Sequence, residues 1–262
     1  MPRFKLLIEY AGTRYSGWQI QKNARTVQGE IDRAIRAVSK RGEFELYGSG
    51  RTDAGVHALG QVAHLELYTT QQPESLRRKL NDELPADIHI LAIEPVPHRF
   101  HARHDAISRC YLYQISRRRT AFGKPLVWWI RESLDVDAMR AATRAFVGMK
   151  DFRAFTDDEP EEKSTRVLVE SIDIAENEAL VLIRVQGSHF LWKMVRRLVG
   201  VLAAAGRKEL NATDAARLLT DEKSGTKPAA LAAPAAGLFL EAVLYKGDSP
   251  PGPIAPVINI AS

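Results

Sequence analysis

The stretch Glu43-Phe44-Glu45-Leu46-Tyr47-Gly48-Ser49-Gly50-Arg51-Thr52-Asp53-Ala54-Gly55-Val56-His57-Ala58 decides how this chain is read. Glu43 to Tyr47 reads as a strand that feeds a loop rich in glycine. Glycine allows positive φ and close approach of the backbone to a ligand. Asp53 is a candidate nucleophile or base, and Arg51 can hold that carboxylate ionised or grip a phosphate. On these residues alone, a helix cap or fixed turn with Arg51 as a surface partner explains the loop better than chemistry does. A dinucleotide site is excluded, because Asp53 stands where the third glycine would be and would repel a pyrophosphate.

Working outward, Phe4 to Tyr10 is an apolar strand, and Val27, Ile31, Ala34, Ile35 and Val38 fall at helical spacing. Gln61 to Leu67 alternates, with Ala63, Leu65 and Leu67 on one face. Pro73 opens a helix whose apolar stripe is Leu76, Leu80 and Leu84, and Ile88 to Val96 is a strand. Strand, helix, strand, strand, helix, strand is the order of a ferredoxin-like unit. The second half resembles it. Strands are expected at 107–115, 165–174, 180–185 and 238–244, and helices at 136–147, 190–205 and 213–219. Asp135 is the expected N-cap of the first of these helices. The expected fold class is therefore α+β: two ferredoxin-like α/β halves with largely antiparallel sheets, joined around a central cleft. The expected boundaries are 1–105, 106–246 and a Pro-rich tail at 247–262. Asp157 to Glu162 reads as a solvated acidic turn, and Lys223 to Pro234 as a flexible loop.

Of 262 residues, 45% are hydrophobic and 26% charged, ordinary values for a globular chain with a real core. The net charge of +5 is compatible with a nucleic-acid partner without requiring one. The single cysteine, Cys110, reads as a buried small hydrophobe, and no Cys/His cluster has zinc spacing. The opening residues lack a secretory h-region and no apolar stretch is long enough to span a bilayer, so a cytoplasmic protein is expected.

Arg51-Thr52-Asp53-Ala54-Gly55-Val56-His57-Ala58, followed by Gly60-Gln61-Val62-Ala63-His64, resembles the signature of the TruA family of tRNA pseudouridine synthases. Further segments occur in the family's order. They are Tyr15-Ser16-Gly17-Trp18-Gln19, Thr26-Val27-Gln28, Phe100-His101-Ala102-Arg103, Arg109-Cys110-Tyr111-Leu112-Tyr113, Asp151-Phe152, Phe190-Leu191-Trp192-Lys193-Met194-Val195-Arg196 and Gly237-Leu238-Phe239-Leu240. The resemblance covers roughly residues 3 to 245.

It implies the pseudouridine synthase fold and isomerisation of uridine at positions 38, 39 and 40 of the tRNA anticodon arm. Substrate and product share composition and oxidation state, so no metal and no cofactor are expected. The family's nucleophile falls on Asp53 and its partner arginine on Arg196. Tyr111 matches the tyrosine that stacks on the target uracil, and Leu238 a residue packed on the base. Arg51 matches the residue that fills the space left by the flipped nucleotide or holds the adjoining phosphate. Arg99, His101 and Arg103 match an RNA-contacting run, as do Lys163 and Arg166, although this chain departs there from the commoner Ser, Thr and Arg order. The resemblance also implies a homodimer and no membrane. Tyr113, His57 and His64 read as structural. Two other readings stay open: a synthase with a different RNA target, and a tRNA-binding module without activity. A phosphotransferase or hydrolase using Asp53 is more distant, since no second carboxylate or metal ligand lies nearby.

Overall fold

The computed structural model describes residues 1–39, 43–157, 164–220 and 226–260. Lys163 lies outside the described residues, as do most of the expected acidic turn and the start of the expected loop at 223–234. In chain order the strands and helices are β1 (Arg3–Tyr10), α1 (Val27–Ser39), β2 (Phe44–Gly48), β3 (His57–Leu67), α2 (Pro73–Glu83), β4 (Ile88–Val96), β5 (Ala106–Ser116), β6 (Trp128–Trp129), α3 (Val136–Thr143), β7 (Gly148–Asp151), β8 (Arg166–Glu176), β9 (Leu180–Gly187), α4 (Met194–Gly206), α5 (Ala212–Arg217) and β10 (Leu238–Tyr245). They fall into two compact units, Met1–Ile107 with Phe239–Pro250, and Ser108–Leu238 with Pro251–Ser262. Most of β10 thus sits with the first unit, and the Pro-rich end is shared between the two.

In the first unit β1 pairs antiparallel with both β3 and β4, and β2 pairs antiparallel with β3. The resulting order 4-1-3-2 is that of the ferredoxin-like unit expected from the sequence. β10 adds a short parallel pairing, Phe239 opposite His57 and Leu240 opposite Ala58. Phe4, Leu6, Ile8 and Tyr10 of β1 are buried with Ala63, Leu65 and Leu67 of β3, while α1 and α2 pack on each other. Thr26 caps α1 by accepting the Gly29 N–H at 3.2 Å. Buried Gln28 ties α1 to β2, donating to the Leu46 carbonyl at 3.0 Å. The opposite side of β3 is also covered, which explains why almost every residue of that strand is buried. Its cover is the segment after β4: the Ala102 N–H donates to His64 Nδ1 at 3.1 Å, and the Tyr245 hydroxyl to the Ala102 carbonyl at 2.6 Å.

In the second unit β5, β9, β8 and β7 follow one another in antiparallel pairs, and β6 pairs parallel with β5. This repeats the 1-3-2 part of the ferredoxin order with an added edge strand, β7. Asp135 caps α3 as expected, accepting the Ala138 N–H at 3.0 Å. That helix stops at Thr143 rather than at 147, and Gly148 opens β7 with φ +98°. α4 begins at Met194, later than expected, because Lys193 takes a left-handed conformation (φ 61°) just before it. The helix is apolar nearly all round and accordingly buried, with α3 and α5 packed against it.

The Pro-rich tail is held by two hydrogen bonds to buried side chains. Gly252 accepts from Arg184 at 2.8 Å, and the Val257 N–H donates to Gln114 Oε1 at 2.6 Å.

Candidate active site

The Gly48–Val56 loop is fastened at almost every residue, and the sequence explains each fastening. The Ser49 N–H donates to the Val62 carbonyl at 2.7 Å. Buried Gln61 accepts from the Ser49 hydroxyl at 2.8 Å and donates to the Gly50 carbonyl at 3.2 Å. The buried hydroxyls of Tyr10 and Thr52 lie 2.8 Å apart. The Thr52 carbonyl accepts the Trp18 N–H at 3.1 Å, and the Asp53 carbonyl accepts the Val56 N–H at 3.1 Å. Gly17, at φ +95°, lies so close that a Cβ there would stand 2.5 Å from the Thr52 oxygen. A Cβ on Gly12 would stand 1.9 Å from the Val56 oxygen. These two glycines let the 11–18 turn press against the loop that carries Asp53.

Asp53 itself is half-buried, and Arg51 is exposed. A half-buried carboxylate on a backbone so fixed suits nucleophilic or general-base chemistry, because little reorganisation is needed when it reacts. Arg99 and Arg103 are exposed and His101 is half-buried, all in the same unit. His101 Nδ1 accepts the N–H groups of Arg103 at 3.1 Å and His104 at 3.2 Å, which shapes the turn around Arg103. Burial, together with His104 and Arg3, holds the His101 imidazole below its ordinary pKa.

The second unit carries Tyr111, Arg196, Leu238 and Arg166. Arg196 lies in the first turn of α4, half-buried, and its Nε donates to the Ala233 carbonyl at 2.7 Å. Tyr111 is half-buried on β5 with the Phe190 ring edge-on at 5.3 Å. Leu238 is buried and Arg166 exposed. His189 and Lys193 precede the helix that carries Arg196 and Gly200, because α4 starts only at Met194.

The matching family model is that of tRNA pseudouridine synthase, and it covers residues 6–105 and 142–246. The chain belongs to this family. A tRNA pseudouridine synthase A of Rhodopseudomonas palustris is 42% identical over 250 residues, covering 94% of this chain and 100% of that protein. One of a Geobacter species is 39% identical over 249 residues, covering 94% of this chain and 99% of that protein. Both family-matched segments include residues singled out above: Asp53 and Arg51 in the first, Arg196 and Leu238 in the second.

Several residues of the synthase that were read as structural are so. His57 Nδ1 accepts the Gly12 N–H at 3.1 Å, and its ring stacks on Phe239 at 4.8 Å. His64 is buried; burial first, then His101 and Arg3, push it down to about 4, which keeps it neutral. Tyr113 is fully buried and donates to the Pro234 carbonyl at 2.8 Å. Cys110 is buried in β5. Among the described residues no group of three or more His, Cys, Asp or Glu could hold a metal, and no helix is long and apolar enough to cross a membrane.

Three features escaped the sequence. Gln61 interrupts the apolar face of Ala63, Leu65 and Leu67, and that polar intrusion was its only signal. Asp157, read as solvated, pairs with buried Arg197 and, at 3.0 Å, with Lys193. The third is a cavity of about 390 Å³ beside the loop, lined by Arg51, Gly48 and Gly50 among others; Asp53 is not among its lining residues.

Proposed function

We propose that this member of the tRNA pseudouridine synthase family isomerises uridine at positions 38, 39 and 40 of the tRNA anticodon arm, with Asp53 as nucleophile. Family membership makes the chain an isomerase that converts uridine in tRNA to pseudouridine. In that reaction the C1′–N1 glycosidic bond breaks, the uracil turns, and a C1′–C5 bond forms. C5 loses its proton and N1 gains one, so nothing is oxidised or reduced. The observation that carries the assignment of Asp53 is the closely tethered loop that bears this half-buried carboxylate two residues after Arg51. A covalent adduct with Asp53 divides one difficult step into two easier ones.

The other roles follow the family resemblance residue by residue. Arg196 pairs with the Asp53 carboxylate and keeps it ionised. Tyr111 holds the flipped uracil by stacking, and Leu238 packs on it. Arg51 occupies the space vacated by the flipped nucleotide or holds the adjoining phosphate, the extrusion itself costing a few kcal/mol. Arg99, His101, Arg103, Lys163 and Arg166 contact the RNA, giving an affinity that falls steeply as salt rises. The synthase works as a homodimer in the cytoplasm, without metal or cofactor. Mapping pseudouridine in tRNA before and after treatment with the purified protein tests the reading. New pseudouridine at 38, 39 or 40 supports it, and product confined to other positions overturns the anticodon-arm assignment.

A further inference from the structure

The cavity beside the loop has the chemistry of a nucleotide site, although it is not where Asp53 lies. Its volume of about 390 Å³ is within the range of pockets that hold small ligands. Arg51 and Arg103 line it and are exposed, and no carboxylate is among its lining residues. Two guanidinium groups therefore attract an anion there; the carboxylate of Asp105, which accepts the His101 N–H at 2.9 Å, is close by but is not part of the lining. The aromatic part is Tyr47, from the end of β2. One of its neighbours is His64, stacked at 5.3 Å and 26°, and another is His101, tilted at 6.3 Å. Despite these contacts Tyr47 remains 49% exposed. That exposure leaves ring surface for another planar group.

His101 and His104 also line the cavity. Because His101 Nδ1 accepts two backbone N–H groups, the proton of the neutral ring sits on Nε2, leaving one donor for a polar ligand edge. Trp18 forms a rigid wall. It is 1% exposed and packed so closely on Gly48 that a Cβ there would come 2.5 Å from the indole nitrogen. An unstacked base lying on an aromatic ring, with its phosphate on arginine, is the usual way proteins hold single-stranded RNA. A base-paired stem cannot offer an exposed base face to a pocket of this size.

We propose that this cavity is a second nucleotide site, which takes one unpaired nucleotide of the RNA other than the reacting uridine, its base on Tyr47 and its phosphate on Arg51 and Arg103. The proposal rests on the reading of the chain as a tRNA-modifying enzyme. Arg51 joins the two sites, since it lies two residues from Asp53. The second nucleotide is therefore a near neighbour of the target in the RNA, and holding it splays the strand and fixes which uridine is presented.

Affinity of fluorescently labelled anticodon-arm RNA for the full-length protein tests this, using transcripts that each carry one abasic nucleotide flanking the target. For Tyr47→Ala a loss of roughly 5- to 150-fold is expected on the intact RNA, and little loss for Tyr47→Phe. One abasic position should weaken wild-type binding by a similar factor and have no further effect on Tyr47→Ala. Equal affinity of Tyr47→Ala and wild type overturns the proposal. So does a Tyr47→Ala loss that persists undiminished on every abasic RNA. Unchanged thermal unfolding of Tyr47→Ala shows that the exposed ring was not needed for folding. The readout is binding, so it stands apart from turnover: absence of pseudouridine from a wild-type protein that passes this test sinks the catalytic reading and leaves the nucleotide site.

Discussion

Arg196 and Ala233 are joined twice: the Arg196 carbonyl accepts the Ala233 N–H at 2.9 Å, and Arg196 Nε donates to the Ala233 carbonyl at 2.7 Å. One residue of α4 is thereby locked to the segment that leads into Leu238. The contact needs the 231–233 backbone to lie directly on the helix, and Gly200 makes that possible. A Cβ there would stand 1.8 Å from the Leu231 oxygen and 2.6 Å from its carbonyl carbon. Neither atom is the end of a flexible side chain. Gly200→Ala is therefore expected to cost about 3 kcal/mol by overpacking. It should also lower turnover by loosening Arg196. Urea denaturation measures the first effect and single-turnover assay the second.

Gln61 is the corresponding fastening in the Asp53 loop. Gln61→Leu keeps the volume but strands the buried Ser49 hydroxyl and removes the donor to the Gly50 carbonyl. Leaving such groups unpaired costs about 1–3 kcal/mol. A fall in kcat larger than the fall in RNA affinity is the expected kinetic pattern, because the loop that carries the carboxylate becomes less fixed.

Asp157 offers a pH test. Hydrogen bonds from Arg197 and Lys193 hold its carboxyl below the usual carboxylate range. A lowered value means that the ion pairs stabilise the fold above the unfolded-state pKa and that this is lost as pH falls through the lower, folded one. Arg197 is buried, but the Asp157 side chain is 41% exposed, so solvent screening trims the contribution. Asp157→Asn should destabilise by about 1–2 kcal/mol near neutral pH. The gap between variant and wild type should close as acid titrates the wild-type carboxylate, a trend that denaturation midpoints across pH would follow.

Removing the residues after Pro250 takes away the Gly252 carbonyl that accepts from Arg184 and the Val257 N–H that donates to Gln114. Gln114 is fully buried and Arg184 is 9% exposed. With one neutral and one charged bond lost, destabilisation of about 3 kcal/mol is expected. Thermal unfolding of the shortened chain would show it as a lowered midpoint.

Much of the first unit was legible because its elements follow simple periods. The helical spacing of Val27, Ile31, Ala34 and Ile35, the proline at the start of α2 and the 4-1-3-2 order all answer to local rules. The start of β3 was not legible. His57 to Gly60 is buried on both faces and so shows no alternation, and its partner β10 comes from the far end of the chain. α4 was read too long at its start because the left-handed turn at Lys193 leaves no mark on apolar periodicity. β7 was missed as a short, mostly exposed edge strand. The Asp53 loop stood out by composition, whereas its fastenings (Tyr10, Gln61 and Gly12) lie outside it in sequence. The cavity beside Arg51 brings together side chains from three separated segments, and no pattern along the chain joins them.

The central claim is that Asp53 is the nucleophile that makes pseudouridine. The most direct measurement is single-turnover conversion of an anticodon stem-loop by Asp53→Ala and Asp53→Asn, with RNA affinity measured alongside. The expected result is no pseudouridine from either variant, with RNA bound as tightly as by wild type. Conversion at the wild-type rate by Asp53→Ala would contradict the account.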